Sequence, residues 1–307
     1  MNVVSLLPSA TEIVCALGLG DRLVGVSHDC DWPPEVQADR AVLSAAVVSG
    51  EQPSREIDQT VRERLHQGLS VYHLDAELLA RLNPDVILTQ ELCEVCAPSF
   101  DEVQQAARVL HGDVEVVSLE PTSLEGVLDT IRVVGNATGH IDRADDLIGR
   151  LRTRIDRVRE RAGLATDRPR TLAIEWLDPL FVGGHWVPEM IELAGGEAMN
   201  VPGEPSEEIA WADVARFDPE VIAVMPCGFA PERTAEELDL LIEHELWPDL
   251  KAVKAERVHV VHGSFYFNRP GPRLVDGVEI LASLIHPDDF GDLELPNDAV
   301  YPVAWPW

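Results

Sequence analysis

The sequence predicts an α/β protein of two related lobes joined by one long helix, with a ligand cleft between the lobes. Three observations predict this: an internal repeat, a long charged stretch without proline between its copies, and cysteine-bearing loops that follow matching strands. Residues 80–88 read Ala-Arg-Leu-Asn-Pro-Asp-Val-Ile-Leu, and residues 215–223 read Ala-Arg-Phe-Asp-Pro-Glu-Val-Ile-Ala. Each is a helix end, an Asx-Pro stop and a buried strand. Two such lobes place their strand ends at a common crevice.

Taken in order, the chain opens with an apolar strand, Val3 to Leu7, and a helix that begins near Ser9. Thr11-Glu12-Ile13-Val14-Cys15-Ala16-Leu17-Gly18 has the pattern of Pro188-Glu189-Met190-Ile191-Glu192-Leu193-Ala194-Gly195. Both read as short amphipathic helices closed by a glycine in a left-handed turn. A strand over Arg22–Ser27 follows, and then about forty residues near 30–74 that have no counterpart in the second half. Beyond the repeated unit, Asp113–Ser118 matches Arg257–His262, and a helix follows each, over 122–135 and 272–285. Between the copies, Leu147, Leu151, Ile155 and Val158 recur at helical spacing from Ile141 to Ala162. That stretch reads as a rigid strut, since a flexible linker would be rich in Gly, Ser or Pro. The expected division is an N-terminal lobe at 1–139, a connecting helix at 140–163, a C-terminal lobe at 164–286 and a Pro/Trp-rich tail at 287–307.

The net charge of −30 comes from 54 acidic residues against 24 basic ones, of which only Lys251 and Lys254 are lysine. Acid spread along the whole chain, with lysine nearly absent, reads as adaptation to high salt, where the Debye length falls to ~3 Å at 1 M. Its sign excludes ordinary nucleic-acid binding. No long apolar stretch predicts membrane insertion, and no basic, apolar leader precedes the first strand. The expected location is therefore cytoplasmic, the alternative being an extracellular or membrane-tethered protein whose leader has been removed. Five cysteines do not suggest a disulfide framework.

Cys30, Cys93, Cys96 and Cys227 all fall in loops after predicted strands, and thiolates with imidazole suit zinc, copper(I) or an iron–sulfur centre. The same residues also read as small buried apolar groups, or, at Cys93–Cys96, as a redox pair. Cys15 faces the core of its helix. His28 and His262 end strands, and His185 and Trp186 precede the helix near Pro188. Trp32, Trp176, Trp186, Phe229, Phe265, Tyr266 and Phe267 lie at or beside strand ends, where aromatic rings would grip a flat macrocycle. No nucleophile–base–acid set supports an enzyme. Gly18-Leu19-Gly20 closes a helix rather than opening one around a phosphate.

Val3-Val4-Ser5-Leu6-Leu7-Pro8-Ser9-Ala10-Thr11-Glu12 with Ala16-Leu17-Gly18 resembles the opening of the iron-chelate and cobalamin solute-binding proteins of ABC importers. The Asn-Pro-Asp-Val-Ile strand, the mid-chain helix and the C-terminal strand–helix unit are similar to the same family, over about residues 2–286. His28-Asp29-Cys30, Cys93–Cys96 and Gly184-His185-Trp186-Val187-Pro188-Glu189 look like its cobalamin-binding branch. The resemblance implies two Rossmann-like lobes joined by one long backbone helix, a binding protein rather than an enzyme, and no required cofactor. The implied ligand is cobalamin, another corrinoid or a related metal chelate. Ser9, His28, Trp32, Glu91, His185, Trp186, Phe229, His262, Phe265, Tyr266 and Arg269 are the expected ligand contacts, with His185 the leading axial candidate. Relatives dock a permease through an acid on each lobe. Glu102 matches the first, and Asp213 stands one residue from the second. The alternative function is a metal-binding or thiol-redox protein using Cys30, Cys93, Cys96 and Cys227.

Overall fold

The computed structural model describes residues 1–90, 103, 106–107, 114–303 and 305. In the first half, β1 (Val3–Ser5), β2 (Leu23–Val26), β3 (Ala41–Val42), β6 (Val86–Thr89) and β7 (Glu115–Ser118) form one parallel sheet in the order β3-β2-β1-β6-β7. β4 (Ser44–Ala46) and β5 (Tyr72–Leu74) pair antiparallel as a separate two-stranded sheet. The helices are α1 (Pro8–Ala16), α2 (Ser54–His66), α3 (Ala76–Leu82) and α4 (Leu124–Ala137). β1 and β6 are buried at every position, as parallel strands covered on both faces must be. β1 stops at Ser5, two residues short of the expected strand, because Pro8 sets the first turn of α1.

The connecting helix α5 runs from Ile141 to Ala162, the expected span, and buries Ala144, Leu147, Ile148, Leu151, Ile155, Val158 and Ala162. Its 22 residues extend about 33 Å at ~1.5 Å per residue.

In the second half, β8 (Arg170–Trp176), β12 (Val221–Val224) and β13 (Val258–Val261) lie parallel. The start of β8 takes the parallel β10 (Glu197–Ala198), and its end takes the antiparallel β9 (Phe181–Val182), itself paired with β11 (Glu207–Glu208). Helices α6 (Val187–Leu193), α7 (Trp211–Phe217), α8 (Pro231–Ala235), α9 (Asp239–Ile242), α10 (Lys251–Lys254), α11 (Gly263–Tyr266), α12 (Leu274–Ile285) and α13 (Pro287–Phe290) complete the set. β14 (Val300–Tyr301) adds an antiparallel edge to β13, and the Trp305 ring lies 6.4 Å from that of Trp247, so the final segment is woven into this lobe.

The repeat is visible in the fold. β1, β6, β7, α1 and α4 correspond to β8, β12, β13, α6 and α12. Gly18 and Gly195 end α1 and α6 at φ +70° and +87°. Asn83 and Asp218 cap α3 and α7 in the left-handed region, each just before a proline.

Successive strand residues point to opposite faces, and this sorts the core into three. Val4, Leu6 and Ile87 pack on the outer face of the first sheet, and Leu172, Ile174 and Val224 on the outer face of the second. Val3, Leu88, Ala173, Ala223 and Val261 instead join one continuous core with α1, α4, α5, α6 and α12. The two halves therefore share a hydrophobic centre.

Two glutamates related by the repeat cross that centre. Glu12 on α1 pairs with Arg273 at the start of α12, at 3.0 Å and 2.5 Å, with only 4% and 11% of the side chains exposed. Glu189 on α6 accepts the Leu124 backbone N–H at the start of α4, at 2.8 Å, beside the Ser123 cap. The Glu189 carboxylate thus stabilises the first turn of α4 directly, while Glu12 neutralises the cation that Arg273 places at the start of α12. Burial pushes the Glu12 carboxyl above its ordinary value, and Arg273 pulls it back. Glu12→Gln strands the Arg273 charge and should cost about 3–5 kcal/mol, measured by urea denaturation, whereas Glu189→Gln should cost about 1 kcal/mol or less.

Glu175 is a half-buried acid with no cation beside it among the described residues. Burial raises its carboxyl above the usual range, partly offset by the Ser206 hydroxyl at 2.9 Å and the Gly184 N–H. The native state then holds this proton more tightly than the unfolded chain, so its contribution declines as pH rises from the ordinary carboxylate value through the raised one. Glu175→Gln should therefore melt above the native protein at pH 8, with the difference shrinking toward pH 4.

Candidate functional site

The carboxyl ends of parallel strands face the crevice of an open α/β sheet. In the first half these ends lead into Ser27–His28 after β2 and Gln90 after β6; in the second they lead into Met225–Phe229 after β12 and His262 after β13.

Beneath the ends of β1 and β2 lies a closed polar knot. The Thr11 hydroxyl donates to Ser5 Oγ at 2.8 Å and lies 3.0 Å from Cys30 Sγ, which is also 3.1 Å from Ser27 Oγ. Cys30 is fully buried, and burial raises its thiol pKa, with these hydroxyls opposing. Its sulfur serves as a packing and hydrogen-bonding group. Burial also pushes the Cys15 thiol up to about 11. Cys227 is half-buried after β12, its N–H donating to Glu175 O at 3.0 Å. Cys93 and Cys96 lie outside the described residues, as do Glu91 and Glu102. Among the described residues no group of three or more His, Cys, Asp or Glu is placed to hold a metal ion. The expected four-cysteine metal site has no support there, because Cys30 is enclosed by Ser27 and Thr11.

His28 is oriented from below. Ser44 Oγ lies 2.7 Å from its Nδ1, the Tyr72 ring is 5.3 Å away, and Nε2 has no hydrogen bond, with Asp29 at 3.5 Å. Across the crevice, Trp176 ends β8 and its ring lies 5.0 Å from Phe229, which the Arg233 guanidinium covers at 4.6 Å.

Three more of the expected aromatics, Trp32, Phe265 and Tyr266, form a second cluster, one that joins the lobes, while Phe267 is fully buried in the core. His262 stacks on Phe265 at 3.8 Å, and Arg273 lies over Phe265 at 4.2 Å and over Trp32 at 4.6 Å. Trp32 stays 37% exposed, 5.8 Å from Phe265. Arg269 completes it, holding the Asp31 carboxylate at 2.5 Å and 3.0 Å. Burial lowers the His262 pKa, so the stacked ring is neutral. The Tyr266 hydroxyl donates to Asp298 at 2.7 Å, which with burial raises its pKa. Ser9 is buried against Gly271 of the other half.

His185 and Trp186 stand apart from both clusters. Trp186 is almost fully buried and donates Nε1–H to Phe267 O at 2.7 Å. His185 sits at φ +51°, its N–H on Glu204 O at 2.6 Å and its ring 5.6 Å from Trp186, with its pKa lowered by burial. Asp213 lies in the first turn of α7, paired with Arg216 at 2.6 Å.

Sequence reasoning left out Glu12, Arg273, Arg233 and the role of Trp176. The signal for Glu12 was present: the repeat aligns it with Glu189, and an acid at the same place in both copies marks a shared contact. Nothing local marked Arg233.

Residues 3–264 match the family described as "Periplasmic binding protein". The chain is similar to the uncharacterized ABC transporter substrate-binding lipoprotein YvrC of Bacillus subtilis, 27% identical over 297 residues, covering 94% of this chain and 81% of that one. It is also similar to the vitamin B12-binding protein of Vibrio cholerae, 23% identical over 286 residues, 91% of this chain and 86% of the relative. Among solved structures, the periplasmic heme-binding protein RhuT from Roseiflexus sp. RS-1 aligns at TM-score 0.69 and 23% identity, over 94% of this chain and 98% of that one. The vitamin B12-binding protein BtuF of Vibrio cholerae aligns at TM-score 0.64 and 21% identity, over 92% and 96%. These structural likenesses establish the two-lobed fold. The cytoplasmic location expected from the opening residues is overturned, because the matched family is periplasmic and one relative is a lipoprotein. The chain belongs to the periplasmic binding protein family, and it is a solute-binding protein, not an enzyme.

Proposed function

We propose that the protein captures a corrinoid in the crevice between its lobes and delivers it to an ABC permease. The observation that carries this reading is the aromatic end of the two central strands of the second lobe. The half-buried Trp176, backed by the buried Phe229 ring, offers an aromatic surface of the kind that holds a large flat macrocycle. The vitamin B12-binding relatives support it, since they share sequence over most of the chain. The haem-binding neighbours favour a second reading, a haem-type chelate, on fold alone. In either case the lobes, 1–139 and 164–286, close by a small movement about the helix at 140–163. His28, whose Nδ1 lies against Ser44 and whose enclosed Nε2 has no hydrogen bond, supplies the axial or orienting contact once the loop after β2 gives way to ligand. Glu102 and Asp213 are the acids that this reading offers to the permease.

Absorption titration with cyanocobalamin, cobinamide and hemin tests it. A saturable shift of the corrin bands at micromolar ligand is the expected result; a shift with hemin alone replaces the corrinoid with haem, and no shift with any of them rejects both. Trp176→Ala should weaken binding at least ~10-fold, about 1.4 kcal/mol. His28→Ala should weaken it comparably, and His185→Ala should leave it within about twofold.

A thiol titration separates the metal or redox alternative. In the folded protein at pH 8, Cys30 and Cys15 should stay unlabelled by a thiolate-specific reagent and label on unfolding, with or without a chelator. Labelling of Cys30 on addition of chelator would restore the metal reading.

A further inference from the structure

The extra residues of the first lobe have a destination that their sequence does not announce. Val47–Val71 hangs from the two-stranded stem of β4 and β5, and the Val47 N–H to Val71 O bond at 2.9 Å closes its neck. Within it, α2 fully buries only Ser54; its short apolar stripe, Ile57, Val61 and Leu65, is half-buried and joins none of the three cores among the described residues. Among the described residues, its polar contacts outside the segment come from the other lobe. Arg55 grips Asp178 at 2.7 Å and 2.9 Å. Arg62 reaches Glu208 at 3.0 Å and covers the Phe181 ring. Glu237 accepts the Ser54 N–H at 3.1 Å, at the first turn of α2. Arg233 donates to Gln52 O at 2.8 Å, and Trp176 Nε1 donates to Ser54 O at 3.3 Å.

Both ends of this segment lie at the crevice. The stem begins where Ser44 holds His28, after β2, and the far contacts include Trp176 and Asp178, at and just past the end of β8. The segment therefore spans from the cleft side of one sheet to the cleft side of the other. Its anchors are also the ring and cation of the aromatic floor: Trp176 packs at a tilt against Phe229, and Arg233 covers Phe229. A ligand that displaced either side chain would loosen the segment, and a fastened segment would hold both in place.

We propose that segment 47–71 is a strap that fastens the lobes across one side of the crevice and must unclasp for ligand to leave. Exposed ion pairs are individually weak and screened by salt, and Arg55 is 75% exposed. The strap therefore opens by itself, on its stem, while the shared core stays intact. Strong salt loosens it and leaves the Glu12–Arg273 pair in place.

The test uses the full chain and a charge reversal with its rescue. Amide hydrogen exchange is followed over residues 47–71 in the native protein, in Arg55→Asp, and in Arg55→Asp with Asp178→Arg. The strap predicts exchange at least fivefold faster in the single variant, restored in the double one, with β1, β6, β8 and β12 unchanged throughout. Release of cyanocobalamin, followed by stopped-flow absorbance, should quicken and recover in the same pattern. Unchanged exchange in Arg55→Asp, a change that Asp178→Arg does not reverse, or faster exchange without faster release overturns the proposal. The release measurement rests on the corrinoid reading. If cyanocobalamin does not bind the native protein, that reading fails, and the exchange pattern alone decides whether the strap exists.

Discussion

The buried ion pair between Glu12 and Arg273 constrains the rest of the molecule. Taking both charges out of water is costly, and mutual attraction repays it only where the geometry is good and the remaining groups are satisfied. Here Nε and Nη2 of the guanidinium meet both carboxylate oxygens, and its faces are covered by Phe265 and Trp32. The buried Nη1 has no hydrogen bond among the described residues and gains only from the nearby charge and rings. A planar, weakly hydrated cation suits this arrangement, which lysine could not reproduce. The pair therefore fixes more than itself. It sets the ring of Phe265, through it the stacked His262, and it brings the start of α12 against α1. Glu189 makes the related contact on the start of α4, so the two halves are joined at two points that the repeat exchanges.

That fastening, together with the common core, limits how the lobes can move. Val3 and Val261 belong to one apolar cluster with α5, and separating the lobes widely would expose it. A helix about 33 Å long, packed along its whole apolar face, bends little. Motion large enough to admit a ligand must come from parts held by weaker contacts. α2, with its charge pairs and nearly bare apolar face, is such a part, and it lies where access is needed. The rigid and movable roles thus fall on different contacts between the lobes, the buried pair and the exposed clasp.

Much of the scaffold was legible in the sequence because the repeat reports repeated packing. The matched helices end on Gly18 and Gly195 in the expected left-handed turn, and the span of α5 follows from its apolar spacing. The site was less legible, for physical reasons. An aromatic ring at a strand end can be covered by ligand or by a cation of its own chain, and Phe265 has the same sequence pattern in either case. A thiol after a strand can bind metal or accept hydroxyl contacts, and for Cys30 the deciding partners, Thr11 and Ser27, are unremarkable residues. Trp186 was expected at the ligand, but it spends its one N–H on Phe267 within the core. The residues of α2 carry only a short apolar stripe, Ile57, Val61 and Leu65, and its charged residues give no hint of which lobe they meet.

The acidic composition takes on a structural meaning at the crevice. All but two of the 24 basic residues are arginine, and several stand where one lobe faces the other. Arg55 and Arg62 of the first lobe meet Asp178 and Glu208 of the second, while Arg269 and Arg273 of the second meet Asp31 and Glu12 of the first. Closure of two strongly acidic lobes would otherwise bring like charges together, and these reciprocal pairs reverse the local sign. Salt then acts in two directions. It relieves the general repulsion of a chain with net charge −30, and it weakens the exposed clasps of α2, while the enclosed Glu12–Arg273 pair is screened far less. High ionic strength thus leaves the lobes joined at their centre and frees them at the rim, the condition under which a binding protein keeps its shape and still exchanges its ligand.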